Sequence, residues 1–221
     1  MYKNPSLRKP DSLIGQEGSS FYGFQWLEAA GAGPVLMCDS YVMTGPTFPM
    51  HPHRGISAVA ILFEETEGIM HSSDSVGTNH HFGAGDIHWT LAGSGVMHTQ
   101  TPEPNSKIVA VQIFIDLPEK LKGSPAQTFH LEASRAPIYE AEGCGIRVLA
   151  GSVFGLTSPL DVPQDILILE GWSQSDLTIP VPAGWKVWIY DRDNERAGYS
   201  SKPIVNGQFL LVASPLGGDP G

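Results

Sequence analysis

Three histidines in the first half of the chain have the spacing of metal ligands. His51 and His53 stand two residues apart in the segment MHPHRG. On an extended strand, side chains two residues apart leave the same face, so both imidazoles point together while Pro52 points away. A third histidine, His98, follows in the Gly-rich segment GAGDIHWTLAGSGVMHTQ. Because imidazole nitrogen is a common ligand of divalent transition metals, this pattern predicts a metal site.

The glycines at positions 93 and 95 predict a tight reversal between two strands. If these strands pair as a hairpin, His98 lies opposite Trp89, and alternation places His88 on the other face of the sheet. A slip in register by one residue would exchange the two histidines. Gln100 follows His98 at the same parity and is expected on the same face.

Three neutral imidazoles that converge from two strands suit iron, copper, nickel, zinc or manganese, with coordination positions left for a substrate. The sequence does not choose among these metals, and we expect one divalent metal ion with iron as the first candidate. The other five histidines lack such a pattern, and we interpret them as hydrogen-bonded core or surface groups. They are His71, His80, His81, His88 and His130.

The composition is that of a globular, turn-rich protein. Hydrophobic residues make up 41% and charged residues 16% of the 221 residues, with 25 Gly and 18 Pro. Runs with β-branched and aromatic character alternate with clusters of Gly, Pro and Asp, for example at 56–63, 106–117 and 185–191. This pattern favours an all-β protein of sandwiches or barrels. The polar segment 118–125 predicts a helix of about two turns.

Charge, cysteine content and hydropathy limit the function classes. There are 13 Lys and Arg against 23 Asp and Glu, for a net charge of −10, and no basic run, so direct nucleic-acid binding is not expected. Two cysteines, Cys38 and Cys144, are too few for a disulfide framework. The start of the sequence lacks a signal-peptide core, and no stretch of about 18 apolar residues predicts a membrane span. We therefore expect a cytoplasmic protein that does not interact with a membrane.

The apolar strand pattern is interrupted between Leu117 and Ile146 by a polar segment. We place a domain boundary at about residues 134–140, which gives an N-terminal domain over 1–135 with the metal site. The C-terminal domain, 136–221, contains no histidine and is expected to bind no metal.

Several segments together resemble the pirin family of bicupin proteins. HPHRG, EGIMH and GAGD-IHW-AGSGVMH cover the middle third, and a weaker likeness continues through IRVLAGSVFG, IPVPAGWKVWIY and FLLVASPLGG. The resemblance implies an all-β bicupin fold of two β-barrel, jelly-roll-like domains with a metal in the N-terminal one. It also implies quercetin 2,3-dioxygenase activity on flavonol substrates in several members, and a role as transcriptional co-regulator in others.

Carried over by position, the metal ligands of the family fall on His51, His53, His98 and Gln100. Gln100 is a departure, because pirins usually carry Glu there, and a second acidic position of the family falls on Ser57. A glutamine amide oxygen can bind a metal, but it cannot take the proton of a substrate hydroxyl.

Glu103 does not replace the missing carboxylate in this interpretation, because it lies at the opposite parity from His98 and beyond Pro102. Catalytic residues are therefore not assigned.

The second half is too short for a complete cupin, with only 18 residues between Tyr190 and Phe209. We expect an abbreviated C-terminal domain whose open sheet edges contact a protein partner or a second copy of the chain.

Five large apolar residues near the histidines either line a pocket for a small aromatic substrate or belong to the core of the fold. They are Phe48, Met50, Phe82, Trp89 and Met97.

Three functions remain open. The first is a metal-dependent dioxygenase of the quercetinase type with weakened activity. The second is a non-catalytic metal-binding protein of the regulatory or interaction type, and the third is a degenerate cupin that binds no metal.

Overall fold

In a computed structural model of the protein, the regular secondary structure is almost entirely β-strand, which confirms the all-β expectation. The structure describes residues 6–16, 18–29 and 31–215, so the start of the predicted N-terminal domain, the end of the predicted C-terminal domain and the last three residues of FLLVASPLGG lie outside it. The strands in the described part are β1 (Ser12–Gly15), β2 (Phe21–Leu27), β3 (Val35–Met43), β4 (His51–His53), β5 (Ile56–Leu62), β6 (Met70–Asp74), β7 (Asn79–Phe82), β8 (Ile87–Leu91), β9 (Val96–Pro102), β10 (Ile108–Asp116), β11 (Gln127–Leu131), β12 (Ile138–Ala141), β13 (Cys144–Ala150), β14 (Ser152–Val153), β15 (Leu156–Thr157), β16 (Leu167–Thr178), β17 (Trp185–Asp191), β18 (Arg196–Ser200) and β19 (Ile204–Pro215).

Helical structure in the described residues is limited to α1 (Glu119–Lys122) and a 3-10 turn (Ala133–Arg135). The helix α1 is shorter than the two turns expected from the sequence, because it begins after Pro118 and Gly123 ends it. No helix in the described part has the length and apolar character needed to cross a membrane.

The first half of the chain forms two facing sheets. A seven-stranded sheet has the order β1-β2-β3-β10-β5-β8-β11, and a four-stranded sheet has the order β4-β9-β6-β7. An apolar layer between them includes Tyr41 and Leu62 from the larger sheet and Met70 and Phe82 from the smaller one. Polar side chains that point into this space are therefore removed from bulk water.

The second half forms a six-stranded sheet, β12-β13-β16-β19-β17-β18, and a small two-stranded sheet, β14-β15. The six-stranded sheet packs on the seven-stranded sheet through the largest core cluster, which contains Trp26, Trp89 and Trp188. Among the residues that the structure describes, its other face is covered by the short β14-β15 hairpin and by Leu7 instead of a second full sheet. The second cupin unit is thus abbreviated, as expected.

The chain covers one edge of this second sheet itself. The backbone of Arg8 pairs with Ala197 in the edge strand β18 through two N–H···O bonds of 2.9 Å. The opposite edge strand, β12, carries the exposed Ile138.

The predicted hairpin between the strands around Gly93 to Gly95 is wrong. β8 pairs with β5 and β11, whereas β9 pairs with β4 and β6, so the turn connects two different sheets. The turn is closed locally by the N–H of Gly95 and the carbonyl of Ala92, at 2.8 Å. Such a local turn does not determine which strands pair with β8 and β9. The burial of Trp89 against the second half of the chain determines that pairing. As a result His88 and His98 face the same interior space, not opposite faces.

Candidate metal centre

His51, His53 and His98 lie together at one end of the space between the two sheets of the first half. β4 and β9 are antiparallel and place His51 directly opposite His98. The ring centroids of the three imidazoles are 4.7 to 4.9 Å apart. One nitrogen from each ring lies within 4.8 Å of the others. The alternation of side chains along a strand therefore brings the predicted residues to one point.

The hydrogen bonds of these imidazoles leave nitrogens free for a metal. Nδ1 of His51 is 2.9 Å from the carbonyl oxygen of Pro49. Because a carbonyl only accepts, this Nδ1 carries the proton and Nε2 keeps its lone pair. Nε2 of His53 and Nδ1 of His98 are buried without a hydrogen-bond partner. Such unpaired nitrogens are the donors that a divalent transition metal takes, so the three residues fit the ion that their spacing predicts.

Burial keeps two of these rings neutral. Desolvation, together with the neighbouring His51, lowers the pKa of His53 to about 4. Desolvation, with His53 and His51 adding to it, lowers the pKa of His98 to about 3. A metal competes with protons for imidazole nitrogen, and little competition is expected at neutral pH.

Gln100 lines the same cavity as the three histidines and is 9% exposed. The four predicted residues thus share one space, but they contribute no negative charge. Glu103 lies on the outer surface, where its Oε1 is 2.8 Å from Nδ1 of His81. Glu103 follows the end of β9 and lies away from the three metal-site histidines, as expected.

Ser57 faces away from the histidines. The indole Nε1 of Trp89 donates a hydrogen bond of 2.9 Å to its hydroxyl oxygen, and both residues are fully buried. Trp89 belongs to the core between the two halves of the chain. The position where the family resemblance implies a second acid thus lies on the other side of β5.

A cavity of about 140 Å³ opens beside the three imidazoles. Of the five apolar residues considered from the sequence, Phe48 lines it, whereas Trp89 and Phe82 lie in the core and Met50 and Met97 are exposed. The full lining is Phe21, Met37, Asp39, Tyr41, Met43, Phe48, His51, His53, His98, Gln100, Gln112 and Phe114. Its apolar and aromatic character suits a flat ring.

Asp39 is a carboxylate in this lining that the sequence analysis did not single out. Its Oδ1 accepts a hydrogen bond of 2.9 Å from Nε2 of Gln25. Burial raises the pKa of Asp39 to about 6, against the opposing effect of this hydrogen bond. The signal was present, because Met37, Asp39, Tyr41 and Met43 share one parity of β3, and a carboxylate in an apolar strand is unusual.

The remaining histidines divide into two groups. His71 and His81 stack on the outer surface of the first half, with ring centroids 4.7 Å apart. His80, His88 and His130 converge in the interior, which contradicts our interpretation of them as separate, hydrogen-bonded groups.

The pirin family model matches residues 9–115 of the chain. Pirin-like protein 2 and Pirin-1 of Arabidopsis thaliana are each 29% identical over 88% and 82% of this chain, and human pirin is 28% identical over 74%. The chain spans 61%, 63% and 57% of the lengths of these three relatives.

Solved structures share the bicupin fold. GK1651 from Geobacillus kaustophilus superposes with a TM-score of 0.84 at 22% identity, covering 99% of this chain and 98% of that one. A quercetin 2,3-dioxygenase from Acinetobacter baumannii gives 0.78 at 22% identity, covering 99% and 88%. The bacterial pirin YhhW of Escherichia coli, in complex with nickel(II), gives 0.67 at 17% identity, covering 95% and 98%.

Proposed function

Because the pirin family model matches residues 9–115, we propose that the chain is a pirin-type metal-binding cupin that oxidises a small flavonol-like substrate, as a quercetin 2,3-dioxygenase of weakened activity. The observation that carries this proposal is the convergence of His51, His53 and His98 at the wall of an apolar cavity. A quercetin 2,3-dioxygenase and a nickel-bound pirin are among the proteins of similar fold.

In this proposal His51, His53 and His98 hold one divalent ion through imidazole nitrogen, and Gln100 adds its amide oxygen. Iron is the first candidate. A divalent ion held there would supply Lewis-acid and redox chemistry with coordination positions open to substrate. The hydrogen bond that Nδ1 of His51 donates to the carbonyl oxygen of Pro49 fixes the orientation of that ring toward the ion.

The cavity sets the size of the proposed substrate. Its volume of about 140 Å³ is smaller than the roughly 300–1,000 Å³ that encloses a drug-sized ligand. One ring of a flavonol therefore enters between Phe48 and Phe114, and the rest of the molecule stays at the mouth, where Phe48 is 47% exposed. A substrate with a single aromatic ring fits the same space.

Asp39 is the group in the cavity that can take a proton from a substrate hydroxyl. With a pKa of about 6 it is ionised at neutral pH, yet it is basic enough to act as proton acceptor. The loss of the family carboxylate at position 100 is thereby compensated in part, which supports weakened rather than absent activity.

Anaerobic loading of metal-free protein, followed by oxygen uptake with quercetin, tests this function. We expect uptake with at least one of iron, copper, manganese, nickel and cobalt, and its loss in the His51→Ala/His98→Ala protein. The matched control is His71→Ala, which removes a surface histidine outside the cavity. Absence of uptake with all five metals would reject the oxygenase.

A second candidate is a non-catalytic regulatory protein in which the metal controls a protein interaction. The neutral donor set around Gln100 favours it, because such a set binds metal without supplying a base at that position. Its test compares the affinity of a purified partner for metal-loaded wild type and for the His51→Ala/His98→Ala protein. Equal affinities would reject this candidate.

We further propose that the chain divides into domains over 1–135 and 136–221, and that the exposed edge strand β12 mediates contact with a protein partner or a second copy of the chain. A clean monomer in light scattering at micromolar concentration would reject the homo-oligomer.

We also propose a cytoplasmic location, because Cys38 and Cys144 are free thiols.

A further inference from the structure

A second group of three histidines lies where the two sheets of the first half approach each other at their edges. His88 and His130 are cross-strand neighbours on β8 and β11, in the seven-stranded sheet. His80 comes from β7, the edge strand of the four-stranded sheet. Its ring centroid is 4.0 Å from that of His130 and 5.8 Å from that of His88. One nitrogen from each of the three rings lies within 4.8 Å of the others.

Four of the six ring nitrogens in this group lack hydrogen-bond partners. Nε2 of His80, Nδ1 of His130 and both ring nitrogens of His88 are buried without a hydrogen bond. His88 is fully buried. Buried polar atoms in folded proteins are nearly always paired, so unpaired nitrogens on three converging rings indicate a ligand that accepts one lone pair from each neutral imidazole.

The surroundings of the group favour a cation. Asp86 is held by the backbone N–H groups of Gly83 and Ala133, and its Oδ2 is 3.9 Å from Nε2 of His130. At this distance the carboxylate makes no hydrogen bond to the ring, but its negative charge beside the three imidazoles favours a cation there.

We propose that His80, His88 and His130 form a second site for a divalent transition metal, separate from the site of His51, His53 and His98. Three neutral nitrogen donors suit zinc, cobalt, nickel or copper and do not suit magnesium or calcium, which prefer oxygen. Because the ligands come from both sheets, the ion joins β7 to β8 and β11. Its role is structural, since the ion ties strands of the two sheets together.

Zinc titration of untagged, metal-free protein by calorimetry tests this site. We expect two equivalents in wild type, and one equivalent in the His51→Ala/His98→Ala protein, in which the first site is removed. Adding His80→Gln and His130→Gln to that protein is expected to abolish the remaining equivalent. The matched control adds His81→Gln instead, which changes a neighbouring histidine on the outer face of β7 and retains the equivalent.

Two further measurements make the test independent of folding and of the proposed activity. Zinc is expected to raise the melting temperature of the His51→Ala/His98→Ala protein, and cobalt bound to it is expected to show the intense visible absorption of a four-coordinate site. The proposal is overturned if this protein binds no zinc, or if the equivalent disappears with His81→Gln. It is also overturned if the equivalent persists with His80→Gln/His130→Gln.

If the four-residue variant does not fold, one equivalent in wild type decides against the site. A failure of oxygen uptake leaves all these outcomes unchanged.

Discussion

His51 and His98 lie directly opposite each other on the antiparallel strands β4 and β9, with ring centroids 4.7 Å apart. This cross-strand pair, together with His53, fixes the place of the proposed ion. Gln100 is the next residue of β9 on the same face, so it is the position from which a carboxylate would change the charge of the site most directly.

Gln100→Glu is expected to tighten divalent metal binding at this site by about tenfold or more, equivalent to about 1.4 kcal/mol. The reason is that a carboxylate adds a negative charge to three neutral donors without a change in shape. Any oxygen uptake with quercetin is expected to rise as well. Metal affinity by competition with a chelator and oxygen uptake measure the two effects.

Gln112→Glu is the control for that change, because Gln112 lines the same cavity from β10. It introduces the same charge into the same space at a position outside the predicted ligand set. An equal gain in affinity from both variants would contradict a specific role for position 100.

Asp39→Asn is expected to lower oxygen uptake by about a hundredfold if the carboxylate accepts the substrate proton. The acidic limb of the pH profile, expected near the Asp39 pKa of about 6, is expected to disappear. Because burial raises this pKa, the wild-type carboxyl stabilises the fold below pH 3.8 and loses that contribution as the pH rises through about 6. The variant is therefore expected to be more stable than wild type at pH 7.5, by up to about 3 kcal/mol.

Urea unfolding of the metal-free proteins measures the stability effect, with the exposed Asp161→Asn as control. Equal stability of wild type and Asp39→Asn at pH 7.5, together with an unchanged acidic limb, would contradict the assigned role of Asp39.

The first histidine site could be predicted from the sequence because its residues lie close together along two strands. His51 and His53 share one strand, and His98 and Gln100 share another, so alternation alone aligns each pair. The pairing of β8 was not local, since the turn at Gly93 fits either a hairpin or a change of sheet. Burial of Trp89 against the second half decides between them.

The second histidine site illustrates the opposite case. His80, His88 and His130 come from three strands, His130 is distant in the sequence from the other two, and no two of them share a strand. Their approach depends on which strands end the two sheets, a property of the whole topology. Asp39 is intermediate, because its unusual place in an apolar strand was visible but the cavity it faces was not.

Ser57→Ala is expected to destabilise the protein by about 1–3 kcal/mol without an effect on metal affinity. The change leaves the buried indole N–H of Trp89 without its acceptor, on the side of β5 that faces away from the histidines. Denaturant unfolding and zinc titration measure the two quantities. Ser94→Ala, at an exposed position, serves as control and is expected to change stability by less than about 0.5 kcal/mol. A fall in zinc affinity with Ser57→Ala would contradict the orientation of this hydroxyl.

Acid is expected to unfold the metal-free protein from about pH 6.5 downward. Burial lowers the pKa of His53 to about 4 and those of His88 and His98 to about 3, each from 6.5. The unfolded chain therefore binds protons at these residues before the folded protein does, and the stability present above pH 6.5 is lost as the pH falls toward 3. Each histidine contributes about 1.4 kcal/mol per pH unit in this window. Asp39 and Glu170, whose pKa values burial raises, act in the opposite direction, but they are two groups against three histidines, so the sum is a loss.

Urea unfolding at pH 7.5, 6.5 and 5.5 measures this dependence. His88→Gln is expected to flatten it by removing one neutral buried imidazole, whereas His71→Gln, at the surface of the first half, is expected to leave it unchanged. Saturating zinc is expected to raise stability at pH 7.5, by about 2.7 kcal/mol at a hundredfold excess over the dissociation constant. That gain is expected to shrink on acidification, because protons and metal compete for the same nitrogens. Stability that is constant between pH 7.5 and 5.5 would show that these imidazoles do not have the neutral, buried character on which both metal sites depend.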